Sequence, residues 1–181
     1  PGGIIYGVYE RATTITSVGA NVWNIVSDLI IVRDDNWGLG ANPYTALNDP
    51  VDLIAGNRAR TGLTYTFATT SGIVGQERGG TRLNIAVDPN NCNRVYIVWT
   101  DNNPLGGNNY SLHIISSTNG GVNWSANDLR RIDNAINPAL AINCLGELAF
   151  SYQRLVSGNW QTIVERTTND FATTATTTLN T

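Results

Sequence analysis

The sequence contains no lysine and no methionine, and only 14% of its 181 residues are charged. All 11 basic side chains are arginines, spread along the chain, and the formal net charge is −3. Because there is no basic cluster, we do not expect nucleic acid or an anionic membrane as a partner. No apolar run approaches the roughly 20 residues that a membrane-spanning helix requires, so no membrane span is expected.

The chain has one histidine, His113, and two cysteines, Cys92 and Cys144. These residues do not have the spacing of a zinc site, and we expect neither a metal nor a cofactor. A lone histidine inside a predicted strand, without a matching serine or cysteine motif, is typical of a structural role. The cysteines either form one disulfide, which would fit an oxidising compartment, or remain two free buried thiols.

The sequence starts at Pro1, without methionine and without a signal peptide. Two explanations stay open: a segment of a longer protein, or a mature chain cut from a precursor. Asparagine and threonine are abundant, as in many exported proteins. This correlation agrees with the extracellular or cell-surface location that the family resemblance described below implies.

Short strand signals follow one another along the chain. Nine segments are rich in β-branched and aromatic residues and are bounded by Gly, Asn, Asp or Pro. Several are apolar on both faces, which favours strands packed between two layers, and no window has a helical period. The sequence therefore predicts an all-β fold. The predicted strands are residues 4–12, 28–34, 63–70, 83–88, 94–101, 111–117, 139–143, 147–154 and 160–167.

Two regions of the chain, residues 83–136 and 137–181, repeat one pattern. Each contains a strand, a tight turn, a longer strand, a loop, a strand and a polar turn. A repeat of about 50 residues with several strands is the signature of a β-propeller blade. At that length the chain holds three to four blades, so residues 1–181 are one propeller domain or part of one.

The stretch SSTNGGVNWS, residues 116–125, places a tight polar turn directly before a tryptophan. Ser117, Asn119, Gly121 and Trp124 fit the pattern S-x-D-x-G-x-x-W, with Asn in place of Asp. An Asn oxygen accepts hydrogen bonds from turn amides, and glycine takes a backbone conformation that other residues avoid. The tryptophan is expected to bury its ring on the sheet.

This pattern resembles the Asp-box, or bacterial neuraminidase repeat, of sialidase-like β-propellers. The resemblance covers residues 83–170, and a second copy keeps Thr167 and Asn169 but has Phe171 where the box has glycine. It implies a six-bladed ring, although a closed four-bladed ring also fits this length. A partial ring would be completed by further chain or by association of copies. In these families the box lies away from the active centre, so it indicates a fold and not a reaction.

Sialidases use an arginine triad, a tyrosine–glutamate pair and an aspartic acid, none of which this sequence identifies by motif. The candidate catalytic residues are Arg33, Asp34 and Asp35, with Trp37 as a candidate ligand-binding aromatic at the same strand end. Carboxylates, an arginine and an aromatic ring are what a sugar site requires. The alternative is a surface turn in which an aspartate caps neighbouring amides.

Two further loops carry candidate ligands. Glu77, Arg78 and Arg82 lie in a glycine-rich stretch that is either a second ligand-binding group or a solvated connection. Asp101, with the two asparagines that follow it, offers oxygen atoms to calcium, but a calcium site needs more ligands than this loop displays.

Three functions follow from these observations. The first is a secreted sialidase-like propeller module that recognises glycan or protein without complete catalytic machinery. The second is a fragment of a sialidase-type glycoside hydrolase, which predicts that Arg33 and one of its neighbouring aspartates line a central pocket. The third is a subunit of an extracellular assembly, joined through strand edges or blade faces.

Overall fold

The computed structural model describes residues 3–68, 82–102, 105 and 110–180, and this part of the chain is all-β, which confirms the predicted class. Within these ranges eleven strands form three antiparallel sheets. The first sheet contains β1 (Ile5–Gly19), β2 (Val22–Asp34) and β3 (Asn57–Ala68). The second contains β4 (Asn84–Asp88), β5 (Asn91–Asn102), β6 (Tyr110–Ser117) and β7 (Arg130–Asp133). The third contains β8 (Ala135–Ile142), β9 (Leu148–Val156), β10 (Asn159–Thr167) and β11 (Ala175–Thr178).

In every sheet the strands lie side by side in chain order, so each sheet is an antiparallel meander. The first turn of the second sheet and that of the third are built alike. Asp88 Oδ1 accepts the amide of Asn90 at 2.8 Å, and Asn143 Oδ1 accepts the amide of Leu145 at 2.9 Å. Asp and Asn favour this local bond, which closes the chain into a tight turn.

The second sheet lies between the other two, and its central strands are buried on both faces. Successive side chains of a strand point to opposite faces. Ile97, Trp99 and Ile115 therefore pack against the first sheet, whereas Tyr96 and Val98 pack against the third. This double burial explains why β5 reads as an almost continuous apolar run instead of an alternating one.

The sequence pattern missed two short strands and the full length of several others. β7 carries two arginines and an aspartate, and β11 is almost entirely threonine, so neither has an apolar period. Both form because an antiparallel neighbour supplies their backbone hydrogen bonds. β1 and β2 extend well past the predicted segments 4–12 and 28–34 because they pair with each other as one long hairpin.

The polar turn between β6 and β7, residues 117–124, is called here the first polar turn. Ser117 Oγ accepts the amides of Asn119 at 3.3 Å and Gly121 at 2.9 Å, and it donates to Asn119 Oδ1 at 3.0 Å. Asn119 Oδ1 also accepts the amide of Asn123 at 2.8 Å. Two side chains thus satisfy three turn amides that pair with no strand.

The tryptophan of the first polar turn folds back onto it. Trp124 packs at the edge of the core between the first and second sheets, and its Nε1–H donates to the Gly121 carbonyl at 3.1 Å. The indole therefore buries apolar surface and closes the turn at the same time.

The second polar turn, residues 167–173, joins β10 to β11 with the same bonds. Thr167 Oγ1 accepts the amides of Asn169 at 3.2 Å and Phe171 at 3.1 Å, and Asn169 Oδ1 accepts the amide of Thr173 at 2.9 Å. The Thr–Asn pair is therefore sufficient for the turn, even though the sequence lacks its glycine and tryptophan.

Phe171 replaces glycine because the space beside the two turns differs. A Cβ at Gly121 would lie 3.1 Å from Leu47, which reaches the core from the loop before β3. The Phe171 ring packs edge-on against Phe150, with ring centroids 5.9 Å apart. Both positions have a positive φ, +86° for Gly121 and +66° for Phe171, so the phenylalanine occupies a strained backbone and offsets that strain by burial.

We predict that Ser117→Ala lowers the free energy of unfolding by about 1–3 kcal/mol, because it leaves the buried Gly121 amide without an acceptor. Thr167→Ala should have a similar effect in the second polar turn. Urea unfolding measures both changes, with Ser17→Ala, at an exposed position of β1, as the control. Equal midpoints for Ser117→Ala and Ser17→Ala would contradict the assigned role of the turn.

Candidate functional site

Arg33, the first of the candidate catalytic residues, lies between two sheets. Its Nη1 donates to the Gly120 carbonyl of the first polar turn at 2.9 Å, and its Nε donates to Asp35 at 2.7 Å. Tyr6, also in the first sheet, donates its hydroxyl to the Cys92 carbonyl at 2.7 Å. The first sheet thus contacts the second through Arg33 and Tyr6. We call this pair of residues the first clamp.

Asp34 is used inside its own loop. Its carboxylate accepts the amides of Asn36 at 2.8 Å, Gly38 at 2.6 Å and Tyr44 at 3.0 Å. These backbone bonds, with the one from Tyr44 largest, hold the pKa of Asp34 below its usual value. The carboxylate is a loop cap, which is the surface-turn alternative stated above.

Trp37 lies on the same loop and is 67% exposed. Its backbone φ is +57°, an uncommon value for a bulky residue, and its amide donates to the Gly3 carbonyl at 2.7 Å. The ring lies so close to Gly3 that a Cβ there would approach Nε1 to 2.5 Å. Trp37 is therefore an accessible aromatic surface, separate from the charges of Arg33 and Asp35.

The second candidate group is only partly within the described residues. Arg82 donates to Asn137 Oδ1 of the third sheet, and burial lowers the pKa of its guanidinium. Glu77 and Arg78 lie outside the described residues. Of this group the structure therefore describes only Arg82, which contacts the third sheet.

A second clamp joins the second sheet to the third. Arg94 Nη2 donates to Asp170 in the second polar turn at 2.7 Å, and the Tyr96 hydroxyl donates to the same carboxylate. Arg94 also lies over the Tyr96 ring, 5.2 Å from its centroid. In the strand register the corresponding positions of the third sheet are Glu147 and Ala149, so that sheet does not carry this pair of residues.

The sequence did not predict a cleft that the described residues form between two sheets. It lies between the first and second sheets, has a volume of about 290 Å³, and is called here the interface cleft. Its charged and aromatic lining consists of Arg60 from β3, Trp99 and Asp101 from β5, His113 from β6, and Asp128 from the loop before β7.

His113 lies between two carboxylates in this cleft. Its Nδ1 is 2.7 Å from Asp128 Oδ2 and its Nε2 is 3.2 Å from Asp101 Oδ1. Burial alone would lower the pKa of His113, but the hydrogen bonds and charges of the two aspartates outweigh it and raise the pKa to about 9. At neutral pH the ring is an imidazolium that donates from both nitrogens.

The remaining cleft charges are also paired. Arg60 Nη2 is 3.3 Å from Asp128 Oδ1, and its guanidinium lies over the Trp99 ring, 5.7 Å from the centroid. The Trp99 ring also stacks with the His113 ring, with centroids 5.1 Å apart and an interplanar angle of 13°. Two cations and two carboxylates thus balance each other around one indole.

The structure also shows what two of the residues considered in the sequence do. The His113 ring joins two carboxylates, which is compatible with the structural role expected for it. Asp101, which was considered as a calcium ligand, pairs with His113, and Asn103 lies outside the described residues. No cluster of three or more His, Cys, Asp and Glu side chains in the described ranges is arranged to hold a metal.

A buried tyrosine–glutamate–arginine cluster lies between the second and third sheets. Tyr152 donates to Glu165 at 2.8 Å, and Arg130 makes two bonds to the same carboxylate at 3.1 and 2.8 Å. Burial, followed by the Glu165 bond and charge, raises the pKa of Tyr152. Because Tyr152 is only 3% exposed, this cluster stabilises the packing of the sheets and offers no accessible nucleophile.

Both cysteines are free thiols in the structure: Cys92 is partly buried and Cys144 is exposed. Cys92 lies at the start of β5 and Cys144 in the turn before β9, and Asn90 Nδ2 donates to the Cys144 carbonyl at 2.7 Å. Of the two alternatives, the structure has free thiols and no disulfide, but Cys144 is exposed and not buried.

No protein-family model matches the chain, and no curated protein is significantly similar to it in sequence. Across the residues that the structure describes, we find no helix with the length and apolar character needed to cross a membrane.

We predict that the His113 ion pairs stabilise the fold below pH 6.5 and that this contribution disappears as the pH rises through 9. The folded pKa of about 9 exceeds the unfolded value of 6.5, so the folded state loses its extra proton in this window. The loss between pH 6 and pH 9 should be roughly 3 kcal/mol relative to His113→Gln.

Two measurements check this prediction. Urea unfolding at both pH values gives the stability difference, and NMR titration gives the pKa of the chain's single histidine directly. Asp128→Asn should bring that pKa down. A His113 pKa near 6.5 in the unaltered protein would contradict the arrangement of the cleft.

Proposed function

We propose that the chain is part of an extracellular sialidase-like β-propeller that recognises uncharged carbohydrate in the interface cleft and does not hydrolyse it. The observation that carries the proposal is the charge balance of the cleft. Arg60 and His113 are paired with Asp101 and Asp128, so the lining is polar but has no uncompensated charge.

The propeller reading is supported by how the three sheets are linked. The second sheet ends with β7 at Asp133 and the third begins with β8 at Ala135, and the second sheet packs face-on between the other two. Polar turns stand at matching places in the second and third sheets, and each contacts an arginine of the sheet before it. Radial stacking of blades requires this kind of regular contact between neighbours.

A neutral sugar fits the cleft by size and by hydrogen bonding. A volume of about 290 Å³ is near the lower end for ligand sites and suits a single ring. Sugar hydroxyls both donate and accept, so they can use the free lone pairs of Asp101 and Asp128 and the exposed side chains of Thr61 and Asn127 at the rim. An anionic sugar would need a free cation, and both cations are already engaged.

The chemistry of the cleft supports recognition in preference to hydrolysis. A glycosidase needs a protonated carboxyl group as its general acid. Burial raises the pKa of Asp128, but the bond and charge of His113 and the nearby arginines outweigh burial and leave that pKa below its usual value. Arg33, Asp34 and Asp35, the earlier catalytic candidates, are engaged in the first clamp and in a loop cap.

The test follows the imidazole NMR signals of His113, the only histidine, during titration with methyl glycosides of glucose, galactose, mannose and N-acetylglucosamine. We expect at least one neutral glycoside to shift these signals saturably, and the methyl glycoside of N-acetylneuraminic acid to leave them unchanged. Thr61→Trp, which fills the rim of the cleft, should abolish the shift. Thr178→Trp, at an exposed position of β11, should not.

Each other outcome contradicts a defined part of the proposal. A response to the sialoside alone would contradict the neutral-sugar assignment. Binding without a change at His113 would exclude the interface cleft and direct attention to Trp37. Absence of binding across the whole panel would contradict carbohydrate recognition.

A further inference from the structure

Residues 12–19 of β1 form a strand edge that pairs with no other described strand. β1 is hydrogen-bonded only to β2 within the described residues, so its other edge is free. Residues 12–19 are all exposed, on both faces of the strand. Ile15 and Val18 keep 63% and 52% of their surface accessible, which is unusual for apolar side chains within a sheet.

This edge lacks the charges and prolines that often prevent pairing with another chain. Natural edge strands carry lysine, proline or inward-pointing charges, are very short, or contain bulges, and of these features β1 has two register shifts, between Ala12 and Thr14 and between Ser17 and Gly19. Residues 12–18, Ala-Thr-Thr-Ile-Thr-Ser-Val, contain no charge and no proline. By contrast β7, the edge strand of the second sheet, has exposed Arg131 and Asp133.

We propose that the free edge of β1 pairs antiparallel with β1 of a second copy of this chain, about a two-fold axis at Ile15. An axis perpendicular to the sheet keeps each face on its own side, so the residue on the axis lies opposite itself. Ile15 of one copy then meets Ile15 of the other, and Thr14 meets Thr16. The two first sheets join into one continuous sheet of six strands, β3-β2-β1-β1-β2-β3.

The sequence around the axis favours a second copy as the occupant. Because residues 12–18 are uncharged, the symmetric pairing opposes no like charges, and the nearest cation, Arg11, meets Gly19. Thr–Thr and Ile–Ile pairs across strands are favourable. Because two-fold pairing covers the free edge of β1 in both copies, association ends at a dimer.

The geometry predicts a weak dimer. β1 shifts register against β2 between Ala12 and Thr14 and again between Ser17 and Gly19, so the regular stretch is short. Such a contact is smaller than the interfaces of stable complexes. This inference is independent of carbohydrate recognition, since the interface cleft does not include β1.

Sedimentation velocity over concentrations from about 5 to about 500 μM tests the proposal, because weak protein complexes dissociate in this range. We expect the mass to rise from the 19.5 kDa monomer toward twice that value. Ile15→Lys should remain monomeric, since two ammonium groups would meet on the axis. Leu145→Lys, which places the same charge at a residue 80% exposed in another turn, should dimerise normally.

Hydrogen exchange gives a second measurement that does not depend on a variant. Within residues 14–17, the amides that point away from β2 should exchange more slowly at high concentration than at low concentration, while amides of residues 143–146 should not change. Three results would overturn the proposal: a monomer at every concentration, equal dimerisation of Ile15→Lys and the unaltered protein, or growth beyond the dimer.

Discussion

The arrangement of the three sheets depends on the polar turns and the side chains that hold them. Each turn uses its own Ser or Thr and Asn to satisfy its amides, which makes it a rigid projection at the end of a sheet. A rigid turn can then present the Gly120 carbonyl or the Asp170 carboxylate to an arginine of the preceding sheet. Charge-assisted bonds to a fixed acceptor lose little entropy, so they orient one sheet against the next.

The hydrogen bonds between the polar turns and the neighbouring sheets also determine which side chains are available to bind a ligand. Arg33 and Tyr6, which by type alone resemble parts of a sugar site, are committed to the first clamp. The same contact sets the spacing between the first and second sheets, and away from the clamp these sheets leave room for the interface cleft. The cleft is therefore a product of the sheet packing, and its charges balance because they lie partly buried between two layers.

Local patterns predicted the strands and the first polar turn, since β-branched runs and the Ser-x-Asn-x-Gly order act within a few residues. They could not explain why the second turn has Phe171 where the first has glycine, because that depends on contacts between distant residues: a Cβ at Gly121 would lie 3.1 Å from Leu47, whereas Phe171 packs against Phe150. Nor could they bring His113 to Asp128, which are joined by a loop and not by a motif. One signal was available in the sequence. Asp101 and Asp128 lie 12 and 15 positions from the single histidine, so either becomes a candidate partner for an ion pair once hairpin pairing of the strands is assumed.

Native-state hydrogen exchange of Arg94→Ala tests the central claim most directly. If the second clamp orients the third sheet, its loss should speed exchange in β10 and in the second polar turn, while amides of the first sheet keep their protection. Exchange that is unchanged, or accelerated equally in all three sheets, would contradict the claim that polar turns and their arginines hold the sheets in place.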